Sequence, residues 1–101
     1  MLAKAYDPDL ANAKNPLAWP YHATVEELAN LPPHIVSVNE LDPLRDEGLV
    51  FFRKLLAAGN SATARVVPAT NHAGDMTFPD VAPEPYYETL RSLRNFAYAC
   101  A

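Results

Sequence analysis

The sequence predicts an α/β fold of strand, helix, strand and helix, and three observations predict it. Two short β-branched runs read as buried strands: residues 34–39, between Pro32-Pro33 and a polar turn, and 63–67, closed by Pro68. Between them, Leu44, Gly48, Phe51, Phe52, Leu55 and Leu56 recur at three- and four-residue spacing, as on one face of a helix. A second helical stripe, Tyr86, Leu90, Leu93, Phe96 and Ala97, follows near the end of the chain. Two strands joined by a helix pair in parallel through a right-handed crossover.

Each element has its own start and stop. Residues 1–23 contain Asp7-Pro8, Asn15-Pro16 and Trp19-Pro20 and read as an irregular, extended lead-in. Leu17, Trp19 and Tyr21 make it apolar enough to lie against another surface. Thr24-Val25-Glu26-Glu27 has the capping-box pattern, and the helical turn it opens runs to about Ala29 before Pro32-Pro33. The helix over 44–58 carries Asp46 and Glu47 in its first turn and Arg53 and Lys54 near its end, matching the helix dipole. Gly59-Asn60 supplies its stop. A proline-rich loop leads from Pro68 to the last helix, about 83–99, with Glu84 and Glu88 early and Arg91 and Arg94 late. Ten prolines against three glycines confine regular structure to the gaps between prolines.

Composition bounds the function. The 101 residues form at most one small domain, and a chain this size buries roughly 60–65% of its unfolded surface. Half the residues are hydrophobic, a fifth are charged, and the net charge is −4. That balance argues against nucleic acid as a main partner, because phosphate binding needs a basic face. No apolar run has membrane-span length. The first residues hold one lysine and no apolar stretch of signal-peptide length, so no secretion signal is read there. Cys100 is the only cysteine, which rules out an internal disulfide and is compatible with a reducing, cytoplasmic setting.

A parallel sheet needs both faces covered and usually several strands. Two strands alone leave two open edges and a thin core. The chain is therefore expected to be part of something larger, or to self-associate as a homo-oligomer.

Two loops carry the chemistry. Leu31-Pro32-Pro33 enters the first strand, and the strand leaves through Asn39-Glu40-Leu41-Asp42-Pro43-Leu44-Arg45-Asp46-Glu47-Gly48. The second strand leads to Ala69-Thr70-Asn71-His72-Ala73-Gly74-Asp75. The first of these stretches closely resembles the hormone-sensitive-lipase-like branch of the α/β-hydrolases. The Asn-Glu-Leu-Asp variant and the His-x-x-Asp loop are most similar to its brefeldin A esterase subgroup. Ala58-Gly59 resembles the helix end found across that branch, and Asn15-Pro16-Leu17-Ala18-Trp19-Pro20-Tyr21 resembles the segment that precedes this region in the subgroup, so the resemblance covers nearly the whole chain. Many family members have His-Gly-Phe where this chain has His72-Ala73-Gly74.

The resemblance implies a serine carboxylesterase acting on a small ester without metal or organic cofactor. In it, Asp42 is the orienting acid and His72 the general base of a Ser-His-Asp triad. It also implies that residues 1–101 form the C-terminal portion of an α/β-hydrolase domain, with 1–23 as an apolar lead-in, incomplete without an N-terminal part. The family nucleophile sits in Gly-x-Ser-x-Gly, and its oxyanion hole in a His-Gly-Gly-Gly type motif. Gly48, Gly59 and Gly74 are too far apart for either motif, so the serine is expected on the N-terminal part and the chain alone is expected to be inactive. The other reading is a catalytically inert remnant acting as a self-associating or partner-binding module. Edge strands invite such pairing.

Plainer roles stand beside these. Asp42 precedes Pro43 as a helix N-cap would, and His72 could be an ordinary loop histidine. Gly59-Asn60-Ser61 gives Gly-x-Ser, but between helix and strand, the reverse of a nucleophile elbow. Asp46 and Glu47 serve the helix dipole, Asp75 reads as a turn residue, and His22 and His34 lack metal-ligand spacing. Trp19 and Tyr21 either line an ester pocket or pack against the rest of the fold. Cys100 reads as an inert thiol.

Overall fold

The computed structural model describes residues 2–101. Its elements are α1 (Leu2–Tyr6), a 3-10 turn (Pro20–His22), β1 (His34–Asn39), α2 (Arg45–Ala57), β2 (Ala62–Val67), α3 (Gly74–Thr77) and α4 (Pro83–Cys100). The expected strand-helix-strand-helix order is present, and β1 pairs with β2 in parallel from His34↔Ala62 to Asn39↔Val67. That register puts the two strand exits side by side at one edge of the sheet.

Alternation along β1 separates two faces. Val36 and Val38 lie on the face covered by α2, where Leu55 is wholly buried in a cluster with Leu28 and Ala23, flanked by Phe51, Ala58 and Ala62. Gly48 is the closest approach of α2 to the sheet: a Cβ there would lie 2.6 Å from Val38 Cγ1. The helix ends at Gly59, whose φ of 84° suits a glycine. Asn60 then ties the preceding turn to the sheet, accepting from the Leu31 amide at 2.9 Å and donating to the Leu28 carbonyl at 2.7 Å. The capping box forms as expected, with Thr24 Oγ1 and the Glu27 carboxylate each accepting the other residue's amide.

Three local expectations change. Residues 1–23 are more ordered than an irregular, extended lead-in. They hold α1 and a loop wrapped on Asp7, whose carboxylate accepts from the Asn12 amide and Trp19 Nε1. The bond from Trp19 holds the Asp7 pKa below the usual carboxylate value, against the opposing effect of burial. The proline-rich loop contains a further short helix, α3. Finally, the apolar stripe of α4 is not a buried stripe. Leu90 and Leu93 are exposed, and the buried residue of α4 is Thr89. The stripe lies open because the main packing partner of α4 is the short α3 and the sheet offers it Arg65.

The surface is large for the chain. Its area is 7275 Å², against about 5,700 Å² expected for a self-contained protein of this mass. The radius of gyration is 15.1 Å, against about 13 Å. Val66, Leu90, Leu93 and Tyr98 are among the exposed apolar side chains.

Candidate active site

The turn after β1 is set by Asp42. Its Oδ1 accepts the Leu44 amide at 2.9 Å, and its carbonyl accepts the Arg45 amide at 3.1 Å, so the chain turns directly into α2. The formal N-cap of α2 is Leu44, without a side-chain cap. The plainer reading of Asp42 therefore holds in part, because one carboxylate oxygen shapes the turn. The other oxygen is free for a second partner.

That partner is His72. Its Nδ1 lies 2.7 Å from Asp42 Oδ2, across 30 residues of sequence. The Asp42 side chain is 11% exposed and that of His72 69%. The Leu44 amide and then His72 hold the Asp42 carboxyl below its ordinary pKa against partial burial. An ionised Asp42 accepts only, so in a neutral imidazole the shared proton sits on His72 Nδ1 and leaves Nε2 with its lone pair. An open depression of about 340 Å³ adjoins the pair, lined by Ser37, Asn39, Met76 and Leu93 among others.

The loop carrying His72 is fixed through its backbone. The Leu41 amide donates to the Thr70 carbonyl at 2.9 Å, joining this loop to the Asp42 loop. Asn39 Nδ2 donates to the Asn71 carbonyl at 2.7 Å and to Asp75 Oδ1 at 3.1 Å. Asp75, expected as a turn residue, is a buried acceptor, and Thr89 Oγ1 donates to its Oδ2 at 2.7 Å. Arg65 Nη1 reaches both Thr89 Oγ1 and Ser37 Oγ at 3.0 Å. Sequence reasoning missed Asn39, Arg65 and Thr89. The available signal was an asparagine closing a β-branched strand, where asparagine is depleted.

Ala73, directly after His72, has a φ of 57°. A non-glycine residue held there costs about 1–3 kcal/mol. The left-handed backbone at Ala73 is one that glycine adopts without strain.

The other expected residues lie elsewhere. Ser61 precedes β2 at its amino end, whereas His72 follows the carboxyl end, about 20 Å of strand away. Trp19 stacks edge-on against Tyr6 at 5.1 Å, and Tyr21 lies under Lys54 Nζ at 5.1 Å. Neither lines the depression at Asp42 and His72. His34 Nδ1 bonds the Pro32 carbonyl, and His22 stacks on Tyr21. Among the described residues, no three His, Cys, Asp or Glu side chains gather as metal donors would.

Comparison with known proteins decides the family. The model of the alpha/beta hydrolase fold family matches residues 1–75, which include β1, α2, β2 and both candidate residues. The chain belongs to the alpha/beta hydrolase fold family. Its structure is similar to that of brefeldin A esterase, described as a bacterial homologue of human hormone-sensitive lipase. The TM-score is 0.91 and the identity 47%, over 95% of this chain and 27% of that one. Esterase Est22 is similar at a TM-score of 0.86 and 45% identity, over 93% of this chain and 27% of its own. An arylesterase of Saccharolobus solfataricus is 39% identical over 70 residues, which are 69% of this chain and 22% of that protein. This chain of the alpha/beta hydrolase fold family thus spans only about a quarter of the length of the esterases it matches. The resemblance to the hormone-sensitive-lipase-like branch is supported over the fold as well as the motif. No helix among the described residues is long and apolar enough to cross a membrane.

Proposed function

We propose that this chain is the C-terminal portion of a serine carboxylesterase, with Asp42 and His72 as the acid and base of its triad and the serine on an N-terminal part outside these residues. One observation carries the reading: the 2.7 Å contact between His72 Nδ1 and Asp42 Oδ2, with most of the imidazole open to solvent. A base paired on one nitrogen and open at the other is what a nucleophile needs.

The chemistry follows from that pairing. His72 Nε2 takes the proton of the serine hydroxyl as its oxygen bonds to the ester carbonyl carbon. Asp42 stabilises the imidazolium that forms and does not take the proton. The tetrahedral adduct collapses, the ester C–O bond breaks, and His72 returns its proton to the leaving alcohol. Water then gives a proton to His72 and its oxygen to the acyl carbon; this second adduct collapses, the acyl–Oγ bond breaks, and His72 returns the proton to the serine oxygen as the acid leaves. The relatives named above are esterases, and this supports a small carboxylic ester as substrate. Residues 1–101 act here as one segment, with 1–23 as its lead-in.

The test is complementation. The chain is mixed with a polypeptide that carries the family's Gly-x-Ser-x-Gly elbow, and p-nitrophenyl acetate hydrolysis is followed. Activity that appears only in the mixture and disappears with His72→Ala supports the proposal. Near-normal turnover by that variant, or hydrolysis by the chain alone, overturns it.

A second reading is a self-associating module without turnover. It is favoured by the two open strand edges and by a surface about 1,600 Å² above that of a self-contained chain, about twice what one partner contributes to a standard interface. Native mass spectrometry separates the two: a homo-oligomer that excludes the elbow-bearing polypeptide supports the module.

A further inference from the structure

We infer that Asp75 is a positioning residue for His72, acting through a polar relay that joins four elements of the fold, β1, β2, α3 and α4. The inference rests on the proposed role of His72 and deepens it. Asp75 is 4% exposed, and each of its carboxylate oxygens has a different donor. Asn39 Nδ2, from the end of β1, serves Oδ1 at 3.1 Å, and Thr89 Oγ1, from the buried side of α4, serves Oδ2 at 2.7 Å. Thr89 in turn accepts from Arg65 Nη1 of β2 at 3.0 Å. The Asp75 carboxyl group is therefore bridged by one hydroxyl to a guanidinium, which offsets part of the cost of burying it.

This relay brackets His72. Asn39 uses the same amide group to hold the Asn71 carbonyl, one residue before His72, and Asp75, three residues after it. The imidazole itself has one hydrogen bond, to Asp42, and is largely in solvent. Its aim is therefore set by the backbone that carries it. That backbone includes the left-handed Ala73, a conformation that persists only when its surroundings hold it. Asp75 is the one side chain of the loop that locks it to β1 and α4 together.

An amide cannot replace this carboxylate. The single acceptor oxygen of Asp75→Asn can serve Asn39, but its NH2 then donates to Thr89 Oγ1, so the hydroxyl must turn its own proton away from residue 75, and the negative charge held through Thr89 and Arg65 is lost. The readout is the tautomer of His72, from ring 15N shifts of the 101-residue chain above the pH at which the ring is charged. Wild type is expected as the Nδ1–H form, and Asp42→Asn defines the state without the pairing. Asp75→Asn should move the shifts most of the way to that reference, and the Asp75→Asn/Asp42→Asn double variant should move them no further. A well-dispersed spectrum with the wild-type tautomer overturns the inference. If Asp75→Asn does not fold, Thr89→Val and Thr89→Ser decide. Valine should disturb the tautomer and serine restore it, and two identical spectra overturn the inference.

In the complemented esterase, Asp75→Asn should lower kcat about 10- to 100-fold with KM unchanged, as misplacement of a catalytic group by about 1 Å does. The tautomer test does not depend on turnover. Failure of the esterase reading would leave it standing, and loss of the Asp75 effect would leave the esterase reading standing.

Discussion

Under α2 the sheet is apolar: Val36 joins the Leu55 and Phe51 cluster, and Val38 lies against Gly48. On the opposite side it presents Ser37, Asn39 and Arg65, which are taken up by Thr89 and by the loop holding Asp75. One face contributes stability by burial, which is non-directional. The other contributes geometry by hydrogen bonds, which are directional and expensive to leave half-made. The two functions are thereby assigned to separate side chains on the same pair of strands.

Substitutions can break that division. The largest effect is expected on the polar side: Asp42→Asn in the complemented esterase should reduce kcat by about 10⁴-fold, because the imidazole then takes the wrong tautomer. Steady-state hydrolysis measures it, and a loss below tenfold would contradict the pairing. On the apolar side, Leu55→Ala should destabilise the chain by about 2–5 kcal/mol, read from urea unfolding, with the His72 tautomer unchanged in the folded fraction. Gly48→Ala should cost about 1–2 kcal/mol, since the clash with Val38 Cγ1 exceeds the helix-propensity gain. A more stable variant would show that the sheet yields there. Ala73→Gly should raise stability by up to about 1 kcal/mol, because relief of the left-handed strain outweighs the added chain entropy. A lower melting temperature would contradict that strain.

The smallest effect is on pH. Asp42 has a folded-state pKa below the ordinary 3.8. Over that interval the unfolded chain binds the proton more readily, so stability rises with pH there. The Asp42 contribution is complete above about 3.8 and is lost as pH falls through the lower folded value. Asp7 is shifted in the same direction. Melting temperatures of wild type and Asp42→Asn should therefore converge in acid. A gap that widens below pH 4 would contradict the sign.

The apolar face was legible in the sequence because it is periodic. The recurrence of Leu44, Gly48, Phe51 and Leu55 gives α2 to within a residue of each end, and the β-branched runs give both strands. The pairing of Asp42 with His72 was expected from two stretches that resemble the hormone-sensitive-lipase-like branch, a long one around Asp42 and a short one around His72, and spacing alone left the N-cap role open. The polar relay was not legible. Asn39 and Asp75 are 36 residues apart, and Asp75 and Thr89 are 14 apart, with no repeat to connect them. The stripe on α4 misled for the opposite reason: it is a real helical period, but this chain has little to lay against it. In the lead-in, the prolines indicated turns, and the ordering around Asp7 depends on a bond from Trp19, twelve residues away.

The strand register has a kinetic consequence. Every β1–β2 pair joins residues 28 apart, and Asp42 and His72 are 30 apart. Zipping the sheet therefore closes nearly the same span of chain that the dyad needs, and little extra loop-closure entropy remains to be lost. Parallel pairing across 28 residues is non-local, so closing it is the slow step of this unit, and the Asp42–His72 contact follows at little further cost. Asp42 and His72 would then be paired within a single foldon before any larger partner docks.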